Sequence, residues 1–557
     1  MAVVLLVLGF YLIYPVILIL INTFNVAHDA LVPPKVWGLD NWRHAFDDPR
    51  LLRSLGNTIM IWGLTVGISF PVAVIISWTL ARTRIPFSHG LEFMFWVSYM
   101  MPGIATAVAW INLMDPDLGL LNKSLEFLPF VDQGPFNIFS VPGIVWTQLM
   151  ANGVSIKVML LTPAFRNMDS SLEEAARVSG SSNIRTMMRV TLPLMISPMV
   201  LVFALQMLRI FQSFEIELLL GIPFDFFVYS TLIYEYVRIS DVPEYGRAAV
   251  LASLTLAIVA LIIPFQRWIL GRRQYTTIRG QFKPGLIDLG AWNWIAFGII
   301  GFLLVLLTVG PAISLLVGSM MTRMGFFSLD PAWTLRHWTF VFQDSLFLNA
   351  LRTTLIMAFT AAIFSPLLFS VVAYIIVRTR WAGRGLLDII IWGSGAIPGI
   401  LSGLGLLWLF VGTPGINVLY GTIWALLLVV IIQGNTTGTN IMKGVLVQVG
   451  QDMEDAARIS GAGWVRTYIK IWIPLIMPTL ILLSMINFAL AASTTSSIIL
   501  ISSRDVMTLS ILALEYSSPG LGLREEAGIV ALFITIMTAG LALVARHFGL
   551  RMGLQQR

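Results

Sequence analysis

The chain has 557 residues, of which 57% are hydrophobic and only 11% charged, with a mean hydropathy of +0.84. A soluble globular domain carries about 25% charged residues, so this balance excludes one and makes lipid the main solvent. The absence of cysteine excludes disulfides, thiolate catalysis and Cys-ligated metals. The formal charge of +6 is spread over alternate loops, not gathered into a nucleic-acid-binding face, so no nucleic acid partner is expected.

Apolar runs of roughly 20 residues, long enough to cross a bilayer as helices, recur along the chain. They occupy residues 2–22, 57–81, 90–113, 141–162, 194–218, 248–270, 293–317, 353–377, 386–411, 419–434, 478–501 and 527–545, about twelve in all. The runs are continuously apolar, whereas a membrane strand alternates over ~10 residues. An all-α integral membrane protein follows. The first run is longer than a signal-peptide core and lacks a small-residue cleavage site, so it reads as a retained helix.

Basic residues crowd into particular loops, at Arg82 and Arg84, Arg177 to Arg189, Arg267 to Lys283, Arg378 to Arg384, Arg458 to Lys470, and Arg546 and Arg551. The intervening loops are acidic or mixed, with Asp47, Asp48, Asp115, Asp117, Glu525 and Glu526 among them. By the positive-inside rule the basic loops are cytoplasmic, and both termini then fall on the cytoplasmic side.

An internal repeat sets the architecture. Ala81-Arg82-Thr83-Arg84 recurs as Val377-Arg378-Thr379-Arg380, displaced by 296 residues, and the same displacement relates Trp42 to Trp338 and Met101-Pro102-Gly103 to Ile397-Pro398-Gly399. Further on, Glu174-Ala175-Ala176-Arg177-Val178-Ser179-Gly180 recurs as Asp455-Ala456-Ala457-Arg458-Ile459-Ser460-Gly461, displaced by 281 residues. The shift in register places a deletion in the external loop 115–137. Two homologous six-helix halves of the same topology result, residues 1–270 and 271–557.

Between the fourth and fifth spans of each half lies a polar cytoplasmic segment. In the first half, Ser170 and Glu173 have capping-box spacing and Gly180 suits the left-handed position past a helix end. A helix of two to three turns is marginal alone in water, so another surface must pack on it. Ala175 and Ala176 permit close approach, and Glu173, Glu174 and Arg177 can pair with a partner's charges.

Glu-Ala-Ala, three residues, Gly, nine residues and Ile-x-Leu-Pro is the signature that residues 174–193 resemble, with Val190 in the Ile place. Residues 455–474 match it with Asp455 for Glu and Ile473 for Leu. This is the motif of binding-protein-dependent ABC importer permeases, and the likeness covers essentially the whole chain. It implies that Glu173, Glu174, Ala175, Ala176 and Gly180, with Glu454, Asp455, Ala456, Ala457 and Gly461, form two coupling helices for a separate ATPase. The chain has no G-x-x-x-x-G-K-[ST] loop. The likeness therefore implies two copies of an ABC ATPase holding ATP and Mg²⁺, a periplasmic solute-binding protein, and neither cofactor nor catalytic residue in this chain.

Among such permeases the fused, cysteine-free arrangement resembles the ferric iron group, with relatives that handle thiamine, phosphonate or polyamine as alternatives. His28, His44, His89, His337 and His547 show no ligand spacing, so no metal site is expected. Ionisable residues within spans are functional candidates because their burial in lipid is costly. Arg209 falls inside the 194–218 run, with Gln206 and Ser213 close in helical angle. The second half offers Asn487 for Gln206 and Leu490 for Arg209, followed by Ser493 and Thr494. These six polar residues are the expected pathway lining, although Arg209 could equally pair with a neighbouring helix. The rival class is an ion-coupled secondary transporter, also built of two six-span halves but without docking segments.

Overall fold

The computed structural model describes the chain except residues 28–34, 170, 208, 273–285, 396, 449, 451, 519–520 and 548–557. The described residues are helical, with isolated bridges and no strands. Seven helices are long and apolar enough to cross a membrane alone: Ala2–Asn22, Pro49–Arg82, Tyr245–Ile262, Trp292–Met320, Ser345–Arg378, Trp464–Ser493 and Arg524–Leu543. Six bent helix pairs raise the number to as many as 13. If the pair Glu215–Phe224 and Tyr229–Ile239, bent by 80°, is re-entrant, twelve spans remain.

The repeat is visible in the helix boundaries. Pro49–Arg82 and Ser345–Arg378 each have 34 residues and start behind equivalent caps. The Asp48 carboxylate accepts from the Arg50 amide (2.8 Å) and the Asp344 carboxylate from the Leu346 amide (2.9 Å), which satisfies amides orphaned at a helix start. Before each helix a short bridge, Asn25 to Trp37 and Met321 to Trp333, repeats at the same 296-residue displacement. Pro102 has extended backbone and interrupts the third span between Ser88–Tyr99 and Gly103–Met114, which meet at 96°; Pro398 does the same before Gly399–Gly412. Proline cannot continue the amide ladder, so these breaks are placed by sequence.

The halves are interlocked. Ala2–Asn22 packs on Gly399–Gly412 of the other half, where a Cβ on Gly405 would come within 2.9 Å of Pro15. Small residues allow this close helix contact in the absence of a hydrophobic drive between helices. Reciprocally, Gly310–Met320 packs on Gly103–Met114, with the Ser314 hydroxyl donating to the Ala109 carbonyl (3.1 Å). The boundary drawn after residue 270 falls in the last turn of Tyr245–Arg272, and residues 273–285 of the link beyond it lie outside the described residues. Ile287 pairs back to the first half, donating to the Arg82 carbonyl (2.8 Å) and accepting from the Arg84 amide (3.0 Å).

Candidate functional site: paired short helices and a central polar cavity

The short helices are Ser171–Val178 and Asp452–Ile459, each followed by a glycine in the left-handed region, Gly180 at φ 84° and Gly461 at φ 77°. Apolar side chains project outward at equivalent positions. Val178 is 90% exposed and Ile459 88%, while Leu172 and Met453 are also exposed. Glu174, Ala175, Asp455 and Ala456 share the exposed surface, whereas Ala176 is half-buried and Ala457 buried. Exposed apolar residues at matching places of two marginal helices mark surfaces that need a partner.

One expectation about this segment is corrected and another cannot be placed. Ser170 lies outside the described residues, and the first amide is capped by Asp169, whose carboxylate accepts from the Ser171 amide (3.0 Å) and hydroxyl (2.8 Å). Glu173 is not offered to a partner. It is fully buried, accepts from Arg82 Nη2 at 2.5 Å, and also accepts from the Thr191 hydroxyl at 2.5 Å. Arg82, equally buried, donates to the Met168 carbonyl at 3.2 Å. The acid therefore ties the short helix to the end of Pro49–Arg82 and to the π-helical turn Met187–Thr191 that opens the fifth span.

The second half reaches the same tie by different chemistry. Glu454 is buried too, accepting from the Tyr374 hydroxyl (2.6 Å) and Arg458 (2.6 Å). Arg378, the repeat of Arg82, lies 5.0 Å from the ring centroid of Trp472, the repeat of Thr191. The buried Arg82–Glu173 pair of one half gives way in the other to a tyrosine hydrogen bond, an ion pair within the short helix itself and a cation–π contact.

Between the halves lies a polar cavity of roughly 290 Å³. The chain that was expected to continue as a fifth span over 194–218 instead ends its helix at Met207, and the next helix begins at Glu215. Arg209 is thus an exposed residue of the intervening turn that faces the cavity, not a mid-span helical residue. Ser213 also sits in the turn, so the three residues form no helical stripe, yet Gln206, Arg209 and Ser213 all line the cavity. Ser493 and Thr494 line it from the second half, and so does Leu490. Asn487 does not. It is buried within Ile473–Ser493, its amide donating to the Leu483 carbonyl at 2.8 Å.

Sequence reasoning missed several lining residues. Gln148 donates to the Ser213 hydroxyl (2.6 Å) and to Glu217 (2.7 Å), and Gln433 is hydrogen-bonded to the Thr494 hydroxyl (2.5 Å). The hydroxyl partners Ser213 and Thr494 are equivalents across the repeat, whereas the glutamines reach them from different positions, Gln148 mapping onto Val429 and Gln433 onto Asn152. Each hydroxyl residue is held from behind, because Ser230 donates to the Ser213 carbonyl and Ser510 to the Thr494 carbonyl (2.6 Å). Lys157 is almost fully buried and donates to the Gly153 carbonyl (2.6 Å) at the end of the π-helical turn Leu149–Gly153. Such turns break the regular ladder and recur at functional sites. Glu215 and Glu217 complete the lining, so all its charged groups, Lys157, Arg209, Glu215 and Glu217, come from the first half.

A two-halved, multi-pass helical protein with a polar cavity between its halves and a solvent-exposed short helix on each is a transport permease. The chain belongs to the family of binding-protein-dependent transport system inner membrane components, whose model matches twice, over residues 69–275 and 367–549. It is 24% identical over 522 residues to the ferric transport system permease protein FbpB of Actinobacillus pleuropneumoniae, covering 90% of this chain and 71% of that one. It is 25% identical to a putative ferric transport system permease protein FbpB of Haemophilus influenzae, covering 91% and 78%. A maltose/maltodextrin transport system permease protein MalG of Salmonella typhimurium is 26% identical over 270 residues, covering 46% of this chain and 85% of that one. Among solved structures, a bacterial ABC transporter importing alginate aligns with 48% of the chain at a TM-score of 0.41 and 15% identity.

Proposed function

We propose that this chain forms the whole membrane pathway of an ATP-driven importer that takes ferric iron from an external binding protein, with the coupling helices facing the cytoplasm. The observation that carries the reading is the pair of equivalent short helices with exposed Val178 and Ile459 and buried acids that link each to a membrane helix. A rigid link between an exposed docking surface and a span is what converts movement of an outside ATPase into movement of the pathway. Two docking surfaces imply two ATPases, which hold the ATP and Mg²⁺.

The choice of cargo is supported by the two ferric transport relatives that align along nine-tenths of the chain. The cavity is consistent with a hard cation moving with an accompanying anion, since its lining offers carboxylate and hydroxyl oxygens next to Arg209 and Lys157. The test is uptake in proteoliposomes containing the chain, its ATPase and its binding protein. ATP-dependent uptake should require the iron-loaded binding protein. Uptake that persists without the ATPase and collapses with an ion gradient would establish a secondary transporter instead. Stimulation by a thiamine-, phosphonate- or polyamine-loaded binding protein but not by the ferric form would overturn the cargo alone.

A further inference from the structure

Away from the central cavity, and sharing no residue with it, His337, Glu525 and Glu526 converge where the helix Arg336–Gln343 meets the start of Arg524–His547. One donor atom from each lies within 4.8 Å of the others, the one such group among the described residues. We propose that these three side chains form a divalent transition-metal site, of Zn²⁺ type, that clamps the last span of the second half to the helix and loop in front of its second span.

The donor geometry is the first argument. His337 Nδ1 is 2.8 Å from Glu526 Oε1, and Nε2 is 3.3 Å from the Thr322 carbonyl. A metal-ligating histidine characteristically gives its other ring N–H to a carbonyl or carboxylate, which fixes the tautomer, so Thr322 leaves Nδ1 as the ligand atom. Ligands at ~2.0–2.2 Å around a tetrahedral ion are roughly 3.3 Å apart, so seating the ion asks the His337–Glu526 pair to open by about half an ångström and the group of three, now within 4.8 Å, to draw in by up to about 1.5 Å. An imidazole with two carboxylates suits a first-row transition ion better than Mg²⁺ or Ca²⁺, which favour all-oxygen shells.

The second argument is an unmet requirement. Glu526 has only 8% of its side chain exposed, its Oε1 faces His337, and its Oε2 is sealed from solvent without a hydrogen-bond partner. A buried polar atom left unsatisfied costs about 1–3 kcal/mol, and more if charged. Glu525 is buried beside it and accepts from the Met324 amide at 2.7 Å. Arg524 supplies no counter-charge, because its guanidinium is taken by Asp115 at 2.6 Å. The helix start favours ionised carboxylates, but two adjacent ones with a single imidazole still lack a full counter-charge.

The repeat gives the third argument. Tyr236 and Tyr516, bonded to the equivalent caps Asp48 and Asp344, set a displacement of 280 residues here, so the equivalent positions in the first half are Asn41, Tyr245 and Gly246. There the joint is closed by the chain itself, Asn41 donating to the Thr23 (3.2 Å) and Asn25 (2.8 Å) carbonyls and packing so closely on Gly246 that no side chain fits in the place of Glu526. The second half has exchanged these neutral staples for a set of ligands.

The test uses the full-length, tag-free chain in lipid nanodiscs, stripped with a chelator and titrated with Zn²⁺ while bound metal and melting temperature are followed. One tight equivalent and a raised melting temperature are expected. Glu526→Gln keeps the shape and an acceptor for His337 but should weaken Zn²⁺ binding at least about tenfold and remove the thermal shift; Glu525→Gln serves if that variant is unstable without metal. Glu244→Gln, at the equivalent joint, should bind Zn²⁺ like the parent chain. Absence of a tight equivalent, equal affinity in the variants, or tighter binding of Mg²⁺ or Ca²⁺ than of Zn²⁺ would each overturn the proposal.

Discussion

Glu173→Gln isolates the link between docking surface and membrane helix. In the native chain both members of the Arg82–Glu173 pair are about 0–1% exposed, and the acid also accepts from Thr191. The variant keeps the size and can keep the Thr191 hydrogen bond, but it leaves the Arg82 charge buried with only the Met168 carbonyl. Removing one partner of a buried pair costs about 3–5 kcal/mol. An eight-residue helix has little else to hold it, so the cost should appear locally, as a shift of roughly 10² to 10³ or more from the docked to the undocked state. Hydrogen exchange at residues 171–180 should accelerate by that factor, with exchange in Ser345–Arg378 unchanged. Transport should then uncouple from ATP hydrolysis. Replacing both partners, Arg82→Met with Glu173→Leu, should return exchange close to the native rate, because an apolar pair of similar volume is often neutral. Unchanged exchange at 171–180 in Glu173→Gln would refute the mechanical role of the pair.

Tyr374→Phe removes the corresponding hydrogen bond to Glu454 and should loosen the second coupling helix less, by roughly 1.5–3 kcal/mol on the same measurement. Gly180→Val or Gly461→Val meets open space, so the only penalty is the left-handed backbone, about 1–2 kcal/mol. ATPase association should weaken about tenfold while insertion is retained; normal association and uptake in both would refute a docking role. Since the native chain has no cysteine, a single Cys at position 180 should react with an impermeant reagent only from the cytoplasmic side, and labelling in intact cells would reverse the orientation.

The apolar runs, the repeat and the coupling helices were legible because each is a local pattern: continuous hydropathy, a fixed displacement, a spacing ended by glycine. What escaped reading depends on distance in the chain. Glu173 looks like one more surface charge until Arg82, 91 residues away, folds against it. His337 shows no ligand spacing because Glu526 is 189 residues away. The break at 209–214 was hidden for another reason. Its Ile210, Phe211 and Phe214 are apolar enough to extend a membrane run, and only packing of Phe211 and Phe214 against Tyr229 and Tyr234 shows that they turn back into the protein. Gln148 carries no local signal, being a single amide in an apolar stretch, and Gln433 reads only as the first of the polar residues that end the 419–434 run. The structure pairs each with a hydroxyl at equivalent places in the two halves.

Fusion of the halves has a consequence at the cavity. In a pathway built from two identical chains, each charge would face its own copy, so that Arg209 would oppose a second guanidinium. In the fused chain the equivalent position is Leu490, which lines the same cavity, and every charged lining residue comes from one side. Leu490→Arg restores the symmetric arrangement and should cut ATP-driven uptake by about tenfold, near 1.4 kcal/mol on the passage step, while leaving folding and ATPase docking intact. Arg209→Gln should reduce uptake by a similar or larger factor. The double exchange Arg209→Leu with Leu490→Arg tests whether position matters beyond net charge. If Arg209 works by its place beside Glu215 and Lys157, moving the charge across the cavity will not rescue uptake; full rescue would show that only the sum of charges counts. Loss of stability in Arg209→Gln, repaired by Arg209→Met with normal uptake, would assign the residue to packing and remove it from the pathway.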